Sequence, residues 1–133
     1  LERNRGVSSL YIQDLRGDAA PRRLAISDQG ANTARWSSDG KLYFLSGKSG
    51  SSQVWVSTDG GATATQVTQL PLDVNAYRLS RDGSRLAVSL AVYPDCPDLG
   101  CSAERADTPR PGSGRVYDRT FVRHWDTWKD GTQ

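Results

Sequence analysis

Two cysteines, a single histidine and a short arginine-rich segment are the residues of this 133-residue chain whose types and spacing could do chemistry. Cys96 and Cys101 lie in Pro-Asp-Cys-Pro-Asp-Leu-Gly-Cys. A tetrahedral zinc site wants about four ligands, and His124 is 23 positions beyond Cys101. A redox pair of the Cys-x-x-Cys type needs a tighter spacing. The reading that fits is a short disulfide pinning a Pro-rich loop, which implies an oxidising compartment. A periplasmic or secreted location is therefore expected, with no metal and no cofactor.

His124 would need a nucleophile to activate and an acid to orient it. Asp118 and Asp126 could orient it, but no activated nucleophile is visible, so a hydrogen-bonded structural histidine is expected. The stretch Arg119-x-x-x-Arg123-His124-x-Asp126 alternates with large aromatics. One reading is a strand with a packed face and a charged face. The sharper one is a wall that binds a carboxylate, which arginine grips with two parallel bonds. Arg119, Arg123 and His124 are thus candidate contacts to a substrate carboxylate or an interface.

Other motifs carry less. No Gly-x-Ser-x-Gly is present, the sequence that puts a serine nucleophile on a sharp strand-to-helix turn. Gly47-Lys48-Ser49 looks like the end of a phosphate-binding loop, but the first glycine of such a loop would fall at Leu42, inside a strand. Arg16-Gly17-Asp18 matches an adhesion tripeptide and equally a turn at a repeat boundary, and the turn is the reading adopted. No Asn-x-Ser/Thr acceptor occurs.

These residues sit in a chain that repeats itself. Ser38-Asp39-Gly40 returns 43 positions later as Arg81-Asp82-Gly83. At the same offset Ser37 maps to Ser80, Tyr43 to Leu86, Leu45 to Val88, Ser46 to Ser89, Gly17 to Gly60 and Leu24 to Val67, while Tyr11 maps to Trp55 with one residue of slippage. A period of this length in a β-rich chain is the signature of propeller blades.

Composition agrees. There are 13 Asp against 2 Glu and 14 Arg against 3 Lys, so the charges that fill helices are scarce and the acid that suits turns is abundant. No helical spacing of apolar residues is sustained, and almost no helix is expected. Net charge is +2 with charges of both signs, which argues against nucleic acid or an anionic membrane as the main partner. No apolar run reaches the roughly 18 residues of a membrane span. The chain has no methionine and starts inside a repeat, so it is expected to be excised from something longer.

Strands are expected over 9–15, 22–26, 32–37, 42–46, 53–57, 65–70, 76–80 and 85–93. The 42–46 run, Leu-Tyr-Phe-Leu-Ser, is apolar on consecutive positions, as in a strand covered on both faces. Asp39-Gly40 reads as a two-residue hairpin turn with positive φ at both positions. The expected fold is all-β: a partial β-propeller of about two to three blades of four-stranded antiparallel sheet, with little or no helix. Residues 9–26 would end one blade and 32–70 would be a complete blade. Residues 76–93 and 115–133 would be parts of the next, separated by a Pro/Gly/Cys loop insertion at 94–114. Open sheet edges at both ends invite self-association.

Arg35-Trp36-Ser37-Ser38-Asp39-Gly40-Lys41-Leu42-Tyr43-Phe44-Leu45-Ser46, followed by Gln53-Val54-Trp55-Val56 and Gln66-Val67-Thr68, resembles the propeller repeat of bacterial Tol-system proteins and of prolyl oligopeptidase-family serine peptidases. The segment from Val116 to Trp128 and the Tyr93-Pro94-Asp95-Cys96 loop resemble the acylaminoacyl- or dipeptidyl-peptidase-like members of the peptidase family. That resemblance implies a propeller that caps a separate α/β-hydrolase domain and restricts entry to short peptides. It implies the hydrolase domain and a peptide as partners and a gating role without catalysis of its own, since none of the triad residues can be carried onto this sequence. The alternative is a Tol-like propeller acting as a protein-binding scaffold.

Overall fold

The structure is a computed structural model that describes residues 6–108. Its strands are β1 (Tyr11–Ile12), β2 (Arg22–Arg23), β3 (Asn32–Trp36), β4 (Leu42–Ser46), β5 (Gln53–Ser57), β6 (Thr65–Gln66), β7 (Val74–Leu79) and β8 (Leu86–Leu90). They form three antiparallel sheets, ordered β1-β2, β3-β4-β5-β6 and β7-β8. The described chain is thus mostly β, with one nine-residue helix, α1 (Leu99–Asp107). It divides into two compact units, Leu1–Leu90 with all eight strands and Ala91–Gln133 with the helix.

The four-stranded sheet is buried on both faces, for the reason its sequence suggests. Phe44 lies opposite Trp55 and Leu45 opposite Val54, and cross-strand partners point to the same side while successive residues alternate. Leu42, Phe44 and Trp55 therefore pack on one side with Leu24, Ile26 and Ala31. Leu45 and Val54 pack on the other with Val74 and Tyr77. Strand β4 is buried at Leu42, Phe44, Leu45 and Ser46 because each face of its sheet meets a different neighbour.

The repeat is visible bond by bond. Tyr11 pairs with Arg23 and Ile12 with Arg22. One repeat on, Trp55 pairs with Gln66 and Val56 with Thr65. The Leu24 N–H donates to Leu10 O at 2.9 Å, as Val67 N–H does to Val54 O at 2.8 Å. Ala31 N–H donates to Ser8 O at 2.9 Å, as Val74 N–H does to Ser52 O at 2.7 Å. In each pair the acceptor side advances by 44 positions and the donor side by 43.

Three Ser-x-Asp-Gly turns punctuate the sheets. Ser37 Oγ bonds Asp39, Ser57 Oγ bonds Asp59 and Ser80 Oγ bonds Asp82. The glycine of each turn is left-handed, at φ 80° for Gly40 and 70° for Gly60 and Gly83. The Asp39-Gly40 turn differs from expectation. Among described non-glycine residues only Thr33 has positive φ, so Asp39 does not, and the two-residue turn is excluded. The loop is longer, closed by Gly40 N–H to Ser37 O and Ser37 N–H to Lys41 O. A turn followed by one left-handed glycine is the other common hairpin solution.

The constant 43-residue offset also fails beyond that turn. The second loop closes Ser80 N–H onto Arg85 O, one residue longer than its counterpart. Trp36 pairs with Leu42, and Leu79 with Leu86. Leu86 therefore corresponds to Leu42, not Tyr43, and the mapping of Ser46 onto Ser89 shifts likewise. A one-residue slip moves every side chain to the other face, and the longer turn keeps Leu86 and Leu90 against the core.

Shorter strands also differ from expectation. After Arg23 the chain turns through a 3-10 segment, Ala25–Ser27, where a strand to residue 26 was expected. It tucks Ser27 Oγ onto Leu24 O at 2.6 Å. Helix α1 falls inside the segment expected to be a loop. Asp98 caps it by accepting from Cys101 N–H at 2.8 Å, one of the four donors that a helix start leaves unpaired. Residues 115–133, expected as strand, lie outside the described residues.

Candidate functional site

Cys96 and Cys101 are joined by a disulfide with Cα atoms 5.6 Å apart. The bridge links a turn closed by Cys96 N–H to Tyr93 O, at 3.0 Å, to the first turn of α1. The same helix is held by Ser102 Oγ, which accepts from Tyr93 N–H at 3.2 Å. Arg105 pairs with Asp95 and lies 4.3 Å over the Tyr93 ring. That ion pair holds Asp95 below the ordinary carboxylate range. This is a staple around a short helix. Arg119, Arg123 and His124 lie outside the described residues.

Arg16-Gly17-Asp18 occupies the exposed turn between β1 and β2. Gly47-Lys48-Ser49 sits in the loop between β4 and β5, where the Lys48 ammonium lies 3.9 Å over the Trp55 ring. That is a cation–π contact in place of a phosphate cradle.

A polar cleft of about 360 Å³ opens near the start of β3, lined by Gly30, Asn32, Ser46, Ser52 and Asp73 among others. Three of its polar side chains are held by bonds within the fold. Ser46 Oγ donates to Gly30 O at 2.6 Å and Ser52 Oγ to Val74 O at 3.0 Å. The Asp73 carboxylate accepts from Ser52 N–H at 2.6 Å. The cleft is a joint between sheets.

Further exposed polar side chains lie on the first strands of two sheets. Every residue of β3 is exposed, and on β7 so are Asn75, Ala76 and Arg78. Asn32 and Asn75 are one repeat apart, as are Arg35 and Arg78. A bulge lies between Asn32 and Arg35, with Thr33 at φ 53°. It places Asn32 opposite Leu45 and Arg35 opposite Tyr43. Those partners are two residues apart, so Asn32 and Arg35 share a face despite their spacing of three. Tyr43 and Leu45 face the Val74 and Tyr77 side, and so does Arg35.

Tyr77 links the two strands, its hydroxyl donating to Thr33 O at 2.8 Å. Burial pushes its phenol up to about 12, with the charges of Arg35 and Arg78 both opposing that rise. Arg78 Nη1 donates to the Tyr77 carbonyl at 3.2 Å. Among the described residues neither forms an ion pair. Sequence reading passed over this arginine pair, although the 43-residue spacing was its signal.

No protein-family model matches the chain. The chain is similar to a protein named Dipeptidyl-peptidase 5 from Porphyromonas endodontalis. Identity is 27% over 134 residues, covering 96% of this chain and 18% of the relative. The chain thus spans less than a fifth of the length of the curated relative it matches. The likeness points to a peptidase-related protein.

Proposed function

We propose that this chain is a non-catalytic β-propeller segment of a serine-type peptidase that hydrolyses short peptides, related to the prolyl oligopeptidase family. In this reading the sheets are neighbouring blades, and their ring restricts which substrates reach an α/β-hydrolase domain elsewhere in the parent protein. The observation that carries the peptidase reading is the 27% identity to a dipeptidyl-peptidase running over 96% of the chain. The blade reading is supported by the inter-sheet bonds Ala31 to Ser8 and Val74 to Ser52, which repeat the same joint one unit apart. A periplasmic or secreted location is supported by the Cys96–Cys101 disulfide.

The test is to express the natural protein that contains this segment and assay it on dipeptidyl chromogenic substrates and on casein. Cleavage of the short substrates alone, abolished by a serine-directed reagent, is the expected result. A protein with no serine-reagent-sensitive peptidase activity refutes the reading and leaves the protein-binding scaffold.

A further inference from the structure

We propose that the Arg16-Gly17-Asp18 turn between β1 and β2 is a docking surface for an extracellular receptor whose binding face carries a divalent cation beside an acidic pocket. The proposal rests on the exported location in the reading above and on nothing in its peptidase part.

A tripeptide of this kind recurs by chance in many chains, and this copy is set apart by what the fold leaves around it. Residues 13–23 are exposed without a break, and Leu15 in the turn is 93% exposed. The turn is held without the two charged side chains. Asp14 Oδ1 accepts from Arg16 N–H at 2.9 Å, the bond by which an aspartate closes a turn on its own backbone. Among the described residues neither the Arg16 guanidinium nor the Asp18 carboxylate has a hydrogen bond or an ion pair. Gly17 is not required by the backbone either. Its φ is not left-handed, and a Cβ there would meet nothing within 4 Å. The turn one repeat on is the contrast. There Gly60 is left-handed at φ 70°, and Asp59 accepts from Ser57 Oγ and from the N–H groups of Ala62 and Thr63. The second hairpin uses its glycine and aspartate to fold, whereas the first presents an arginine, a glycine and an aspartate that folding does not use.

The chemistry of the partner follows from these groups. A carboxylate oxygen is a hard ligand that fills an open position on a bound Ca²⁺ or Mg²⁺. A guanidinium grips a carboxylate with two parallel bonds. A glycine between them lets the partner's surface come close to the backbone. The matching surface therefore carries its cation and its acid within the reach of three residues, roughly 10 Å. The bland reading of the same residues is a solvated turn. It predicts that Gly17→Ala and Asp18→Glu change no binding at all.

The experiment coats wells with the natural protein that contains this segment, treated with a serine-directed reagent so that proteolysis plays no part. Fibroblasts that spread on a coat of synthetic Gly-Arg-Gly-Asp-Ser are then added. The expected result is attachment that saturates with coating density, is abolished by EDTA and returns with excess Mg²⁺. Soluble Gly-Arg-Gly-Asp-Ser should compete, and Gly-Arg-Gly-Glu-Ser should not. Asp18→Glu moves the carboxylate by one methylene, and Gly17→Ala adds one methyl to the contact face. Each should raise the coating density for half-maximal attachment at least about tenfold, the scale of one lost charge-assisted contact, with Tm unchanged. The exposed-turn variant Arg85→Gln should support attachment as the parent does. No attachment, attachment indifferent to EDTA, or attachment kept by either Gly17→Ala or Asp18→Glu would overturn the proposal. A negative result leaves the peptidase reading standing, because the readout is adhesion and not turnover.

Discussion

The hydroxyl of Tyr77 donates a 2.8 Å hydrogen bond to the carbonyl of Thr33, tying the first strand of one sheet to the first strand of the next. Tyr77 is 1% exposed, and its ring fills the cluster between those sheets. Tyr77→Phe keeps the ring and removes the bond. Thr33 is exposed, so water can reach its carbonyl. The expected loss is about 1 kcal/mol, read as a lower Tm by circular dichroism. The folded phenol keeps its proton to about 12 where an ordinary tyrosine loses it near 10.0. The stability from its neutral form is complete below that lower value and is lost as pH rises toward the higher one. The gap in Tm between parent and Tyr77→Phe should narrow over that window.

Gly61 is the point of closest approach between the second sheet's turn and Leu24. A Cβ there would lie 2.8 Å from both Leu24 methyl carbons, on backbone at φ 94°. Leu24 is 2% exposed and has little room to yield. Gly61→Ala should cost about 3 kcal/mol from overpacking and left-handed strain together. At Gly60, with φ 70° and nothing within 4 Å, alanine should cost about 1 kcal/mol. Urea denaturation of the two variants checks the ranking, and equal losses would contradict the contact.

The Ser-x-Asp-Gly turns should fail in acid. Lys41, with Ser37, holds the Asp39 carboxyl at about 2, below its ordinary 3.8. Ser80 and Ser84 hold Asp82 at about 2. The bonds of Thr63 and Ser57 hold Asp59 lower still. For a depressed carboxyl, stability is complete above the ordinary value and is lost as pH falls from there toward the folded one. Asp39→Asn and Asp82→Asn should therefore each flatten the acid limb of a plot of Tm against pH. They should leave its neutral part displaced by a constant.

Breaking the disulfide should act locally. Its partners are five residues apart, and closing so small a loop contributes about 2 kcal/mol in the chain-entropy account. The double variant Cys96→Ser, Cys101→Ser should lose the far-UV helix signal of α1. The β signal should persist. Alkylation of the unreduced protein followed by mass measurement should detect no free thiol.

Strand β8, Leu-Ala-Val-Ser-Leu, pairs with β7 alone among the described residues and carries no charge or proline. Such an edge is a template for another chain. The isolated protein should show a mass that rises with concentration in light scattering, and Ala87→Lys should suppress the rise. A constant monomer mass would rule out pairing through this edge.

The amino-acid sequence alone carried the β class and the strands β4 and β5 to their end residues, because consecutive apolar residues demand cover on both faces and Asp-Gly pairs demand turns. It also carried the period, because each unit makes the same backbone bonds to the next. It did not carry the register past Gly40, since one extra residue in a loop leaves the apolar pattern intact while changing which face each side chain meets. Nor did it show α1. Short helices have too few turns to display a period, and this one depends on the Asp98 cap and the Cys96–Cys101 bridge. The meeting of Thr33 and Tyr77 was decided only by tertiary structure. Residues one repeat apart become neighbours when sheets stack face to face, and stacking is a property of packed side chains at a distance that no local pattern encodes.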